Sequence, residues 1–262
     1  MHDSIDTPPL LTFDGPVATI RFNRPKRANR IEPDDLAVLH SHIDQLAVNK
    51  AVRAIILTGT GKHFSAGYDL TSILATVEED PTADTAVNPF GTMVDAFEAL
   101  PQPIICAMNG GVYGGATDLA LACDLRLAVP HTQMFMPAAR LGLHYYLHGM
   151  QRYVSRLGFN TAKRLFLFAE NMDAQQMLQA GFVDRIVAAD ELESEARNAA
   201  LAVAGFAPLA VQGMKQALNR LAHDTLNVEE FASNETACLR SSDIKEGVTA
   251  WQEKRPPVFQ AR

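Results

Sequence analysis

The sequence is poor in the residues that staple a chain together or anchor it elsewhere. Its three cysteines, Cys106, Cys123 and Cys238, are odd in number, widely spaced and form no Cys-x-x-Cys pair. That excludes a disulfide framework and leaves reduced core thiols. No apolar run approaches the roughly 20 residues needed to cross a bilayer, so no membrane contact is expected. The opening residues Met1-His2-Asp3-Ser4-Ile5-Asp6 are acidic and run into Thr7-Pro8-Pro9, without secretory-signal organisation, so a cytoplasmic protein is expected. A surplus of basic charge is also lacking. The net charge is −7 with the two signs interspersed, a field that repels nucleic acid. Apolar side chains are plentiful, at 47% of 262 residues, which supplies a substantial core without metal or disulfide.

The first hundred residues alternate strand-like and helix-like segments. Leu10–Phe13 and Val17–Phe22 flank Asp14-Gly15-Pro16 as a hairpin. Pro33-Asp34-Asp35 opens a helix whose apolar positions Leu36, Leu39, Ile43 and Leu46 recur at helical spacing to about Asn49. Ala54–Thr58 and Ile104–Met108 are short continuous apolar runs, the signature of buried parallel strands, and each leads into glycine. Leu125–Val129 and Met134–Met136 add two strands. From Leu147 onward the pattern is helical, over about 147–157, 160–168, 173–180, 190–205, 208–222, 225–240 and 242–254, interrupted only at Val183–Val187. The chain thus reads as an α/β part and a helical tail. Residues 75–92 have weak periodicity and read as a loop.

The chemistry is expected where the strands end, since ligands bind beyond the carboxyl ends of parallel strands. Phe64-Ser65-Ala66-Gly67-Tyr68-Asp69-Leu70 and Gly110-Gly111-Val112-Tyr113-Gly114-Gly115 are the two glycine-centred segments, and they are expected to meet in space. Gly67 permits a tight turn with exposed amides, and Gly114-Gly115 opens what reads as a buried helix with unpaired first N–H groups. Two converging amides hold an oxyanion. Neither segment is a dinucleotide or P-loop fingerprint.

These segments, together with Phe22-Asn23-Arg24-Pro25-Lys26-Arg27-Ala28-Asn29, Ala122-Cys123-Asp124-Leu125-Arg126, Ala180-Gly181-Phe182-Val183-Asp184 and Glu246 through Phe259, resemble the crotonase superfamily of enoyl-CoA hydratases and isomerases over residues 10–260. The resemblance implies an α/β fold built as a spiral of ββα units, with an acyl-CoA core over residues 1–200 and a helical trimerisation region over 201–262. It implies a homotrimer or a dimer of trimers, an acyl-CoA thioester substrate with coenzyme A bound only as part of it, and no tightly bound cofactor. The oxyanion donors would be the amides of Tyr68 and Gly115. The adenosine end would lie near Lys26, Arg27, Ala28, Ala66, Asp69, Leu70 and Thr71, with Lys254 or Phe259 reaching it late in the chain.

The pattern breaks at the acids. The first family glutamate falls on Asp118, which either performs acid/base work or pairs with a neighbour as a helix carboxylate. The second falls on Ala138, which cannot transfer a proton. A further carboxylate position of the superfamily falls on Tyr146. Instead Gly142-Leu143-His144-Tyr145-Tyr146-Leu147-His148 is rich in proton-carrying groups, with His144 and Tyr146 as candidates beside Asp118. His144 and His148, four apart, could share a helical face, but no further ligand stands at metal spacing and no metal is expected. Three outcomes stay open: a hydratase or isomerase with altered acid/base groups, hydrolysis or C–C cleavage of an acyl-CoA, and a non-catalytic CoA-ester-binding trimer.

Overall fold

The computed structural model describes residues 6–69, 71 and 88–261. The hairpin forms as expected: β1 (Leu10–Asp14) pairs antiparallel with β2 (Val17–Phe22) around a left-handed Gly15. Helix α1 (Pro33–Val48) follows, its proline at the first turn and Glu32 with Asp35 forming a reciprocal cap. Leu36, Leu39, Ile43 and Leu46 form its buried stripe.

The next segments repeat one unit three times. A long apolar strand is followed within a few residues by a short strand in a second sheet, then by a helix or helical turn. The long strands β3 (Ala54–Gly59), β5 (Ile104–Met108) and β7 (Leu125–Ala128) join the hairpin in the order β1-β2-β3-β5-β7-β10, with β10 at Arg185–Ile186. From β2 onward this sheet is parallel, and β3 and β5 are buried along their whole length, as expected of strands covered on both faces. The short strands β4 (His63–Ser65), β6 (Gly111–Tyr113), β8 (Gln133–Phe135) and β9 (Met172–Asp173) make the second sheet in that order. The units are completed by α2 (Pro89–Glu98), by α3 (Gly115–Leu121) and by a 3₁₀ turn over Ala138–Leu141. This is the expected spiral of ββα units.

Two expectations need correction. Of the second sheet only β8 is expected from the sequence, as Met134–Met136; β4, β6 and β9 have two or three residues, too few to show a period, and β4 and β6 lie inside or beside the glycine motifs. The loop expected over 75–92 ends earlier. Asn88 caps α2 by accepting the Gly91 N–H, and Phe90, Met93, Val94 and Phe97 face the core. Residues 72–87 lie outside the described residues.

Beyond the spiral come α4 (Leu147–Leu157), α5 (Phe159–Phe168), α6 (Ala174–Gln179), α7 (Leu192–Ala204), α8 (Pro208–Ala222), α9 (Val228–Arg240) and α10 (Ser242–Glu253). Among the described residues, no helix is long and apolar enough to cross a membrane.

Candidate active site

The two glycine motifs do meet. Each leaves a short strand of the second sheet, β4 or β6, and these strands pair in parallel. Gly67 adopts a left-handed φ of +88°, and a Cβ built on it would stand 2.5 Å from the Tyr113 carbonyl oxygen and 2.9 Å from the Gly115 nitrogen. Only glycine fits there. Tyr68 forms a parallel bridge to Ile31, with Ile31 N–H donating to the Gly67 carbonyl at 2.9 Å and Asp69 N–H to the Ile31 carbonyl at 3.0 Å. Successive peptides of an extended chain point to opposite sides, so the Tyr68 N–H is directed away from Ile31. Gly115 is the first residue of α3, where an N–H has no intrahelical acceptor.

A cavity of about 140 Å³ opens between these backbones. Tyr68 and Phe90 stack over it, with ring centroids 5.3 Å apart, and the Phe90 ring covers Gly115 so closely that a Cβ there would meet it at 2.8 Å. Tyr113, Met136, Ala138, Leu143, His144, Tyr145 and Tyr146 also line it. Ala138 therefore stands on the wall as expected, and among the described residues the wall carries no carboxylate.

Asp118 is behind that wall rather than on it. It is wholly buried, one turn into α3, and the Tyr146 hydroxyl donates to its Oδ2. Arg152 of α4 holds the same carboxylate, Nε to Oδ1 at 2.9 Å and Nη2 to Oδ2 at 3.3 Å, and donates from Nη2 to the Tyr146 oxygen at 3.1 Å. Tyr146 spans the two environments. Its ring lines the cavity and its hydroxyl meets the buried ion pair. Burial and the Asp118 charge push the Tyr146 phenol well above the ordinary range, against the opposing pull of Arg152, so it stays protonated. Tyr145, beside it, has a buried hydroxyl without a hydrogen-bond partner among the described residues.

The histidines separate. His144 precedes α4 at the exposed rim, where its Nδ1 meets the Tyr145 carbonyl at 2.9 Å. His148 lies in α4 and faces the other way, its Nδ1 2.6 Å from Asp95 Oδ2. It lines a groove of about 470 Å³ between α2, α8 and α9, which contains neither glycine motif. The two do not share a helical face. Among the described residues, no group of three or more metal-ligating side chains lies together.

The expected coenzyme A residues are partly brought together. A 3₁₀ turn at Pro25–Arg27 ends in Ala28 and Asn29, both at left-handed φ, and the buried Asn29 fixes it by donating to the Thr60 and His63 carbonyls at 2.9 and 2.7 Å. Ala66 N–H donates to the Ala28 carbonyl at 2.8 Å, which brings the turn of Lys26, Arg27 and Ala28 to Ala66, while Asp69 lies against Ile31 and Arg30. Lys26 and Arg27 are exposed. Leu70 lies outside the described residues. Lys254 does not join this group: it caps α10 in a left-handed conformation, and the tail beyond it packs beside Pro16, Lys50, Arg53 and Gly205.

Sequence reasoning passed over Arg152, the largest fully buried side chain. One signal was present: Arg152 falls on the same helical stripe as Gly149, Tyr153 and Leu157, where a charge must be paired. A comparison with known families gives this arrangement its context. The profile of the family described as enoyl-CoA hydratase/isomerase matches residues 12–262. This chain belongs to the enoyl-CoA hydratase/isomerase family.

Within that family it is 34% identical over 248 residues to Bacillus subtilis YngF, itself named for the family, covering 93% of this chain and 94% of the relative. It is 32% identical over 251 residues to the short-chain-enoyl-CoA hydratase of Clostridium acetobutylicum, covering 94% and 95%. The crystal structure of an enoyl-CoA hydratase from Bacillus anthracis superposes with a TM-score of 0.86 at 29% identity, covering 98% of this chain and all of the other. The enoyl-CoA hydratase/isomerase membership makes the chain an enzyme of hydratase/isomerase type acting on an acyl-CoA thioester.

Proposed function

We propose that the chain adds water to, or shifts the double bond of, an enoyl-CoA, using the amides of Tyr68 and Gly115 to hold the thioester oxygen and a Tyr146–Asp118 pair to move the proton. The observation that carries this is the convergence of Gly67 and Gly115 at a cavity bordered by Tyr146. Negative charge that develops on the thioester oxygen falls between two preorganised N–H groups, the arrangement that stabilises an enolate most effectively.

Ala138 supplies no acid, so proton transfer runs through Asp118, the buried carboxylate that the Tyr146 hydroxyl meets. Water adds to Cβ and gives a proton to the Tyr146 oxygen as Tyr146 passes its own to Asp118. The reverse passage delivers a proton to Cα, and each transfer breaks one O–H bond for every bond to hydrogen it makes. Removal and return of an acyl proton by the same relay isomerises the double bond. His144, at the rim, closes the mouth of the cavity. The adenosine end of coenzyme A lies along Lys26, Arg27, Ala28, Ala66 and Asp69.

The chain assembles as a trimer or a dimer of trimers, with residues 201–262 as the assembly region. Exposed Met214, Leu218 and Leu221 on α8, Val228, Phe231 and Leu239 on α9, and Trp251 on α10 support this, because a monomer seldom shows so many large apolar side chains on one region. A second reading, hydrolysis or C–C cleavage, draws on the absence, among the described residues, of a carboxylate from the cavity wall. The test is the purified protein with short 2-enoyl-CoA esters, following loss of the conjugated thioester absorbance and release of free thiol, with its mass measured by light scattering. Absorbance loss without thiol, from three or six chains, is expected. Thiol released at the rate of substrate loss would replace hydration by hydrolysis, and a monomer would refute the assembly.

A further inference from the structure

A fully buried arginine is unusual enough to need an explanation, and its partners supply one. Each of the five N–H donors of the Arg152 guanidinium has an oxygen acceptor. Nε and one Nη2 hydrogen go to Asp118, the other Nη2 hydrogen to the Tyr146 oxygen, and the two Nη1 hydrogens to Asp95 Oδ1 and Glu98 Oε2, both at 2.9 Å. Burial opposes the charge, but Asp118 foremost, with Tyr146 and Glu98, holds the guanidinium protonated. Glu98 is itself fixed by Arg156 at 2.6 Å and by His223 Nε2 at 3.0 Å. Asp95 and Glu98 belong to α2, Asp118 to α3 and Arg152 to α4, so one planar group ties three helices together behind the cavity.

We propose that Arg152 is the positioning residue of the proton relay, a role that rests on the reading of Tyr146 and Asp118 given above. The Nη2–H occupies one lone pair of the Tyr146 oxygen and the hydroxyl hydrogen goes to Asp118, so in the relay the remaining lone pair is the one that takes the proton of the attacking water. The same group holds the Asp118 carboxylate and the phenol oxygen together, and so fixes the line along which the proton moves between them. A lysine, with three donors on a point charge, lacks the planar fork and cannot serve the five acceptor contacts that Arg152 makes.

The test is a double-mutant cycle of Arg152→Lys and Tyr146→Phe, reading kcat, KM and exchange of the butyryl-CoA α-proton into D₂O by NMR. Arg152→Lys is expected to lower kcat and exchange about a hundredfold with KM within about threefold, and to change neither by more than about threefold in the Tyr146→Phe background. Equal falls in both backgrounds, or unchanged kcat, would overturn the proposal. If Arg152→Lys does not fold, Asp95→Asn, which takes one negative charge from the partly exposed edge of the cluster, is expected to lower kcat about fivefold in the wild-type background and not in Tyr146→Phe. Unchanged kcat or equal falls there overturn it too. Exchange without hydration in the wild type refutes the hydratase reading alone, and the cycle still decides the role of Arg152. Absence of both overturns the two together.

Discussion

Gly115 shows how one missing methyl group can decide a site. Its amide stands at the first position of α3, and the Phe90 ring lies where a Cβ would go, 2.8 Å from the nearest ring atom. The backbone at Gly115 is helical, so alanine is acceptable to the chain and objectionable only to the ring and to whatever lies beneath it. Gly115→Ala is therefore expected to keep the fold while lowering kcat about a hundredfold or more, the usual cost of one oxyanion donor misplaced. Wild-type kcat with unaltered circular dichroism would remove Gly115 from the proposed oxyanion pair. This residue was legible in the sequence, because glycine at a strand-to-helix junction has few other uses. Asp118 was legible in part: its spacing from Gly115 marks it as important, but nothing local tells whether a carboxylate faces a cavity or an arginine 34 residues away.

At the scale of the element, α4 carries the most consequence. Its N-terminal approach presents Tyr145 and Tyr146 to the cavity, and its inner stripe places Arg152 and Tyr153 in the core. The ordinary phenol pKa is about 10. Burial, then the Asp118 charge, raises all three of these phenols above that value. A group that binds its proton more tightly when folded contributes its full stability below the unfolded pKa and loses it as pH climbs above about 10. Tyr145, Tyr146 and Tyr153, three of the five tyrosines, are thus expected to ionise only as the protein unfolds, seen as tyrosinate absorbance appearing together with loss of circular dichroism. Reversible ionisation of all five with the fold intact would contradict the burial of this cluster. The helix itself was readable from periodicity at Leu147–Leu157. What it packs against was not, because the partners Asp95 and Glu98 lie on α2, which the weakly periodic stretch before it concealed.

At the scale of the whole molecule, the spiral explains why the site needs both sheets. The six-stranded sheet supplies rigidity through continuous apolar strands, which sequence patterning displays well. The four-stranded sheet supplies direction, since β4 and β6 bring the two glycine motifs together, and apart from β8 its strands are too short for the sequence pattern to reveal. The family resemblance recovered the spiral, while the Tyr146–Asp118–Arg152 cluster through which a proton path is proposed emerges only from packing. The kcat of Tyr146→Phe and Asp118→Asn measures that path most directly. Each is expected to fall at least about a hundredfold with KM nearly unchanged, and the double variant to be no slower than the slower single one. An Asp118→Asn protein that folds and turns over enoyl-CoA at the wild-type rate would contradict the account.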